Sequence, residues 1–220
     1  MDVAPATLTG RPDLAGVELV VLGDSVAEGR DDPYPSGGWR GWAGRLAEAL
    51  ELPAERMVNA AIPGATIAQV VAEQLPVVRS LRPRLMVLNC GMNDAINGFE
   101  TAEVAAHLAE VFGWARSAGA VGLAAPVPHA PPLLERSIIS NFRRKRILER
   151  IQLFNAELRR GTRAFGMEFM EPDVVPLVMD PSLWAIDGIH LNSVGHAYVA
   201  EVIIDIARSL LGEQVTAQTG

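Results

Sequence analysis

A chain of 220 residues that is 49% hydrophobic can bury a sizeable core, and its length fits one α/β domain spanning 1–220 better than two. A formal net charge of −7 argues against non-specific attachment to nucleic acid or to an anionic membrane surface. The single cysteine, Cys90, excludes an intramolecular disulfide and a multi-cysteine zinc site, and no apolar stretch approaches the roughly 20 residues needed to span a bilayer.

Residues 1–15 read as a polar, proline-containing lead-in, without the basic start and apolar run of a secretory signal, so a cytoplasmic location is expected. Val17 to Leu22, apolar except for Glu18, is a run of the kind that forms a central parallel strand. Trp39 to Leu50 follows as a helix, with Trp42, Leu46 and Leu50 at helical spacing. Arg56 to Ala60 is a brief second strand. Thr66 to Val78 has helical character, and Pro76 is expected to end or kink it.

Leu85 to Asn89 is the third strand. Thr101 to Ser117 carries Val104, Leu108, Val111, Phe112 and Ala115 on one stripe and is the clearest amphipathic helix. Ala120 to Ala125 is the fourth strand, closed by Pro126, and a proline-rich loop runs on to Ser140. Phe142 to Ala164 is a long helix with Ile147, Ile151, Phe154 and Leu158 in register. Met167 to Met170 is a weak fifth strand. The last helix runs from about Ser193 to Leu211, with Val199, Val202, Ile203, Ile206 and Leu210 expected to face inward. Alternating strands and helices imply a mostly parallel sheet covered on both faces.

Four short segments carry chemistry, each at the carboxyl end of an expected strand or at the start of the last helix. Gly23-Asp24-Ser25 ends the first strand, where an α/β sheet presents groups to a ligand. Asp187-Gly188-Ile189-His190 has a spacing that puts both side chains on one face of a turn. The carboxylate can then fix the imidazole tautomer while the other ring nitrogen takes the Ser25 proton. Gly64, and Asn93 in Gly91-Met92-Asn93-Asp94, supply a close-approaching backbone N–H and an amide. With the Ser25 N–H they make three donors for a developing oxyanion. Taken singly, each segment is an ordinary turn or cap; together they meet the requirements of acyl transfer through a serine.

The set resembles the SGNH hydrolases, also called the GDSL-type esterase/lipase family. Gly23-Asp24-Ser25, Gly64 within Asn59-Ala60-Ala61-Ile62-Pro63-Gly64-Ala65-Thr66, Gly91-Met92-Asn93-Asp94 and Asp187-Gly188-Ile189-His190-Leu191-Asn192 match its blocks, over roughly Val17 to Leu211. Val26 stands where the family name expects Leu. The resemblance implies Ser25 as nucleophile, His190 as general base, Asp187 as its partner and Ser25, Gly64 and Asn93 as the oxyanion hole. It implies a three-layer α/β/α sandwich with a flavodoxin-like parallel sheet of strand order 2-1-3-4-5. No metal or organic cofactor is expected.

Other residues invite weaker readings. Trp184 is the best candidate wall for an apolar acyl pocket, with Ile96 second and His129, in the proline-rich loop, a possible cleft residue. Asp24 and Asp94 read as shapers of their own local turns, Cys90 as a buried inert thiol, and His107 as a solvated helix residue. His196 falls six residues after His190, a spacing that does not suit metal ligation. The run Arg143-Arg144-Lys145-Arg146 reads as a solvated helix start. Carboxylic ester hydrolysis, of short-chain or acetyl esters, is the leading expectation. Acyl transfer or thioester cleavage with the same residues is the near alternative. A non-catalytic binding module is the alternative of another class, and a nucleotide-binding flavodoxin-like protein is disfavoured because the first strand–helix turn lacks a Gly-rich phosphate loop.

Overall fold

The computed structural model describes residues 16–129, 131–136, 138–171 and 180–218. The expected lead-in over residues 1–15 lies outside the described residues. Five parallel strands, β1 (Leu19–Gly23), β2 (Met57–Asn59), β3 (Leu85–Asn89), β4 (Val121–Ala125) and β5 (Glu168–Phe169), form a sheet of order β2-β1-β3-β4-β5. β1 pairs with β3 along its whole length, Leu19 opposite Leu85 through Gly23 opposite Asn89. That register sets the carboxyl ends of β1 and β3 level with each other, which brings the turns after them side by side.

The pleat sorts the apolar runs onto two faces. Val20 and Leu22 of β1 and Met86 and Leu88 of β3 enter one core, with Leu108 and Phe112 of α6 (Thr101–Ser117) and Ile151 and Phe154 of α7 (Asn141–Phe165). Leu19, Val21, Leu85 and Val87 enter the other, with Trp42 and Leu46 of α2 (Gly41–Ala49) and Val199 and Ile203 of α8 (Ser193–Gln218). Each face of the sheet is therefore covered by helices, giving the three-layer flavodoxin-like arrangement. None of the described helices is long and apolar enough to cross a membrane.

Most expected elements appear within a few residues of their expected bounds; the departures have local causes. On α8 the inward face is narrower than expected, with Val199, Ala200, Ile203 and Ala207 buried, Val202 and Ile206 partly so, and Leu211 rather than Leu210 packed against the core. Two short helices were not anticipated: α1 (Ser25–Glu28), capped by Asp24, and α5 (Met92–Asn97). Both are single functional turns, too short to show a hydrophobic period.

Pro76 does not break its helix. α3 (Ile67–Gln69) runs into a π turn (Val70–Gln74) and then α4 (Leu75–Val78), in which Pro76 occupies the first turn. The Leu75 N–H reaches back to the Val70 carbonyl. The widened turn admits a ring that has no N–H to donate, where an α turn would lose a hydrogen bond and clash. The same turn aims the buried Gln74 amide at β1: Gln74 Oε1 accepts from Gly23 N at 2.9 Å, and Gln74 Nε2 donates to Gly23 O at 2.7 Å.

Candidate active site

The chain turns sharply after β1 because Gly23 adopts φ +151° hard against β3, where a Cβ would lie 2.0 Å from the Asn89 carbonyl oxygen. Asp24 then caps α1, its Oδ1 accepting from Val26 N at 3.0 Å. Ser25 becomes the first residue of α1, its hydroxyl facing the loop before α8. That loop is fixed by Leu133 N donating to Gly188 O at 2.9 Å and by Ala185 N donating to His190 O at 2.8 Å.

The two segments meet in one hydrogen-bonded chain. Ser25 Oγ lies 2.7 Å from His190 Nε2, and His190 Nδ1 lies 2.5 Å from Asp187 Oδ2. The other Asp187 oxygen accepts from Ile189 N at 2.9 Å and His190 N at 3.0 Å. Partial burial pushes the Asp187 carboxyl up, but these two N–H groups and the imidazole outweigh it and hold the group below the ordinary carboxylate range. An ionised Asp187 accepts from Nδ1–H, which leaves Nε2 free to accept from the Ser25 hydroxyl.

The two remaining donor candidates sit on the same rim. Ile62 N donates to Gly23 O at 3.1 Å, which lays the Gly64 loop beside the end of β1. Gly64 is exposed at φ +80°. Asn93, on α5, donates through Nδ2 to Ala65 O at 3.2 Å and, more weakly, to Asp24 Oδ2 at 3.4 Å. Among the described residues no protein acceptor is paired with the Ser25 or Gly64 backbone N–H. β1 lies between β2 and β3, so the Gly64 loop and α5 flank the β1–α1 turn from either side.

A cavity of about 50 Å³ opens beside this chain, lined by Asp24, Cys90, Met92, Val127, Trp184 and Ile189 among mostly apolar neighbours. Trp184 is among the residues that line it. Ile96 and His129 are not. Ile96 lines a separate surface groove with Phe142, Arg146 and Ile147, because α5 turns it toward α7. His129 is exposed, while its neighbours Pro128 and Pro131 line the cavity. Cys90 is buried, and burial pushes its thiol well above the usual range, in keeping with an inert side chain.

Four polar residues have roles that a local reading misses. Asp94 acts beyond its own turn: besides its own backbone N–H, its carboxylate reaches Ile67 N at 3.1 and 3.2 Å, at the start of α3. His196 is fully buried rather than idle. Its Nδ1 accepts from Trp42 N at 3.2 Å and its Nε2 lies 2.8 Å from Arg30 O, tying α8 to the segment between α1 and α2. Gln74 brackets Gly23, as described. Asp31, at φ +70°, brings Oδ2 within 3.8 Å of His190 Nδ1. Asp31, Asp187 and His190 set one oxygen or nitrogen each within 4.8 Å of the others. Because Nδ1 is already joined to Asp187, hydrogen bonding accounts for the grouping without a metal ion.

Burial of Asp24 beside Asp94 gives the site a pH signature. Desolvation drives the Asp24 carboxyl up to about 7 and Asp94 to about 6, against the N–H groups that favour ionisation. The unfolded chain loses these protons near pH ~4. Between there and about 7 the native state still holds a proton that the unfolded chain has released, so native stability falls as pH rises through that window. Asp24→Asn keeps a good capping residue and removes that slope. Its melting temperature relative to the parent is expected to be higher at pH 8 than at pH 4, a difference that thermal unfolding at the two pH values measures directly.

Comparison with known proteins identifies the family. Residues 21–198 match the model of the GDSL-like lipase/acylhydrolase family. Esterase TesA of Pseudomonas aeruginosa is 32% identical over 129 residues, 55% of this chain and 61% of that protein, so the chain spans about three fifths of the length of the curated relative it matches. The crystal structure of TesA superposes with a TM-score of 0.67 at 23% identity, covering 88% of this chain and 99% of that one. The esterase EstA of a Pseudoalteromonas species, inhibited by monoethylphosphonate, superposes at 0.68 with 16% identity, over 89% and 99%. With the family model covering most of its length, strand order included, the chain belongs to the GDSL-like lipase/acylhydrolase family.

Proposed function

We propose that the protein hydrolyses carboxylic esters of small acids through an acyl-enzyme on Ser25. The observation that carries this reading is the unbroken chain from Ser25 Oγ through the imidazole to Asp187, at 2.7 and 2.5 Å. His190 Nε2 takes the hydroxyl proton as Oγ attacks the ester carbonyl. The tetrahedral oxyanion is received by the Ser25 and Gly64 N–H groups and the Asn93 amide. The imidazolium, stabilised by Asp187, returns its proton to the departing alcohol oxygen and leaves an acyl-enzyme. Water, deprotonated by the same Nε2, then attacks the acyl carbonyl, and Ser25 leaves with the proton as the acid is released. The proton transfers run along the Ser25–His190–Asp187 hydrogen bonds, and none of the steps requires a metal.

A short-acyl preference is supported by the small cavity next to the Ser25–His190 pair. About 50 Å³ walled by Trp184, Met92, Val127 and Ile189 admits only a few water-sized groups. Acetyl to butyryl esters suit it, and a hexadecanoyl chain would have to lie outside. In a panel of chromogenic esters, kcat/KM is expected to fall steeply from butyryl to hexadecanoyl. A rate that rises with chain length would defeat the short-acyl assignment and move acyl binding to another surface. Including sugar or alcohol acceptors in the same assay separates hydrolysis from transfer, since transfer yields new esters.

A further inference from the structure

We propose that Asp31 is a second carboxylate for His190, a positioning residue that shares with Asp187 the work of orienting the imidazole and stabilising its protonated form. The inference rests on the reading of His190 as general base and adds to it. The motifs in the sequence pair His190 with one carboxylate, Asp187, three residues before it. The fold delivers another from far along the chain.

The delivery is built in. Asp31 follows α1 directly and takes a left-handed backbone, φ +70°, that Asp tolerates better than most side chains. Both of its neighbours are pinned. Arg30 N donates to Ser25 O at 3.1 Å, and Arg30 O meets the buried His196 Nε2 at 2.8 Å. Asp32 is buried and held by the Arg45 guanidinium through two contacts, at 3.0 and 3.2 Å, while Asp32 O accepts from Arg40 N at 2.7 Å. With its flanks fixed, the Asp31 side chain is held over the ring, 3.8 Å from Nδ1. That is a charge pair and not a hydrogen bond, so at rest Asp187 holds the Nδ1 proton and Asp31 adds field.

Among the described residues three carboxyl groups face this imidazole: Asp187 from its own turn, Asp31 from the segment after α1, and Asp24 from the β1–α1 turn. Of these, Asp24 is buried and proton-holding up to about pH 7, whereas Asp31 is exposed to water. Asp31 thus faces the ring as a second, exposed carboxylate beside Asp187. Removing that charge disfavours the imidazolium, so the ring must lose its proton at lower pH.

The test uses Asp31→Asn and Asp31→Gly, both compatible with a left-handed backbone, so that charge is removed without backbone strain. With a chromogenic acetate ester, kcat is expected to drop about 3- to 10-fold at unchanged KM, and the acid limb of kcat/KM to move down by about 0.5 to 1 pH unit. Placed on Asp187→Ala, Asp31→Asn is expected to cost a further tenfold or more, because Asp31 is then the remaining partner of Nδ1. Titration of the His190 ring by NMR reads the same shift without any substrate. An inactive parent enzyme whose ring titration still moves would sink the ester reading and spare Asp31. A folded, active Asp31→Asn variant with an unmoved acid limb and an unmoved ring titration overturns the proposal.

Discussion

Ser25→Ala is expected to lower kcat/KM on acetate esters by about 10³- to 10⁶-fold while the protein stays folded. The change deletes one oxygen from a nearly buried side chain whose hydrogen-bond partner, His190, retains Asp187 on its other nitrogen. The cost to stability is therefore small, about 1 kcal/mol, and thermal unfolding separates it from the catalytic loss. His190→Ala should approach the same floor, since the hydroxyl then has no base within reach. Asp187→Asn should cost less than either, because the Ile189 and His190 N–H groups still define the turn and Asp31 still faces the ring. A phosphonate ester probe should label the parent protein and leave Ser25→Ala unlabelled. Retained activity in Ser25→Ala would reject the acyl-enzyme on Ser25 and favour another nucleophile, whereas a parent without activity that also resists the probe would favour a binding role.

The largest stability effect is expected at Gly23. Gly23→Ala sets a Cβ 2.0 Å from the Asn89 carbonyl oxygen and 2.7 Å from Ala27 Cβ, at a φ of +151° that side chains rarely adopt. Nothing in that contact is a flexible side-chain end: β3 backbone lies on one side and α1 on the other. The Gly23 carbonyl also accepts from Ile62 N and Gln74 Nε2, so a shift there disturbs the Gly64 loop and the π turn together. A penalty above about 3 kcal/mol is expected, a large share of the roughly 5–15 kcal/mol that holds a domain folded. Recovery of soluble protein and its melting temperature check this. Whatever fraction folds should also turn over slowly, since Ser25 follows the strained residue by two positions. An unchanged melting temperature would mean that the β1–β3 spacing yields more easily than the contacts imply.

What the sequence made legible was what repeats or clusters. The stretches Leu19 to Leu22 and Leu85 to Leu88 are apolar on both faces and became the cores of β1 and β3. Leu108, Val111 and Phe112 marked the buried face of α6 correctly, because three turns of period leave little freedom. Ser25, Asp187 and His190 were legible because their spacing to turn glycines is local, and the fold brought them into contact. Asp31, Asp94 and Gln74 were not, since each acts on a partner at least 27 positions away and nothing in its own neighbourhood signals it. His196 looked unremarkable for the same reason: its partners, Trp42 and Arg30, are 154 and 166 positions distant. Ile96 was misplaced because an apolar residue after a site motif can turn either way. α5 carries Asn93 toward Asp24 and, three residues on, rotates Ile96 to the outer groove.

The π turn at Val70–Gln74 amounts to an ordinary helix carrying one inserted residue. Excising any one of those five positions would let the segment rewind as a plain α-helix, and the excision would turn Gln74 by about 100° relative to whatever lies on the far side of the cut. Its amide would then face away from β1, and the Gly23 backbone groups it now satisfies would be left buried and bare. The number of residues in this stretch is thus as much a requirement of the β1–α1 turn as their identity.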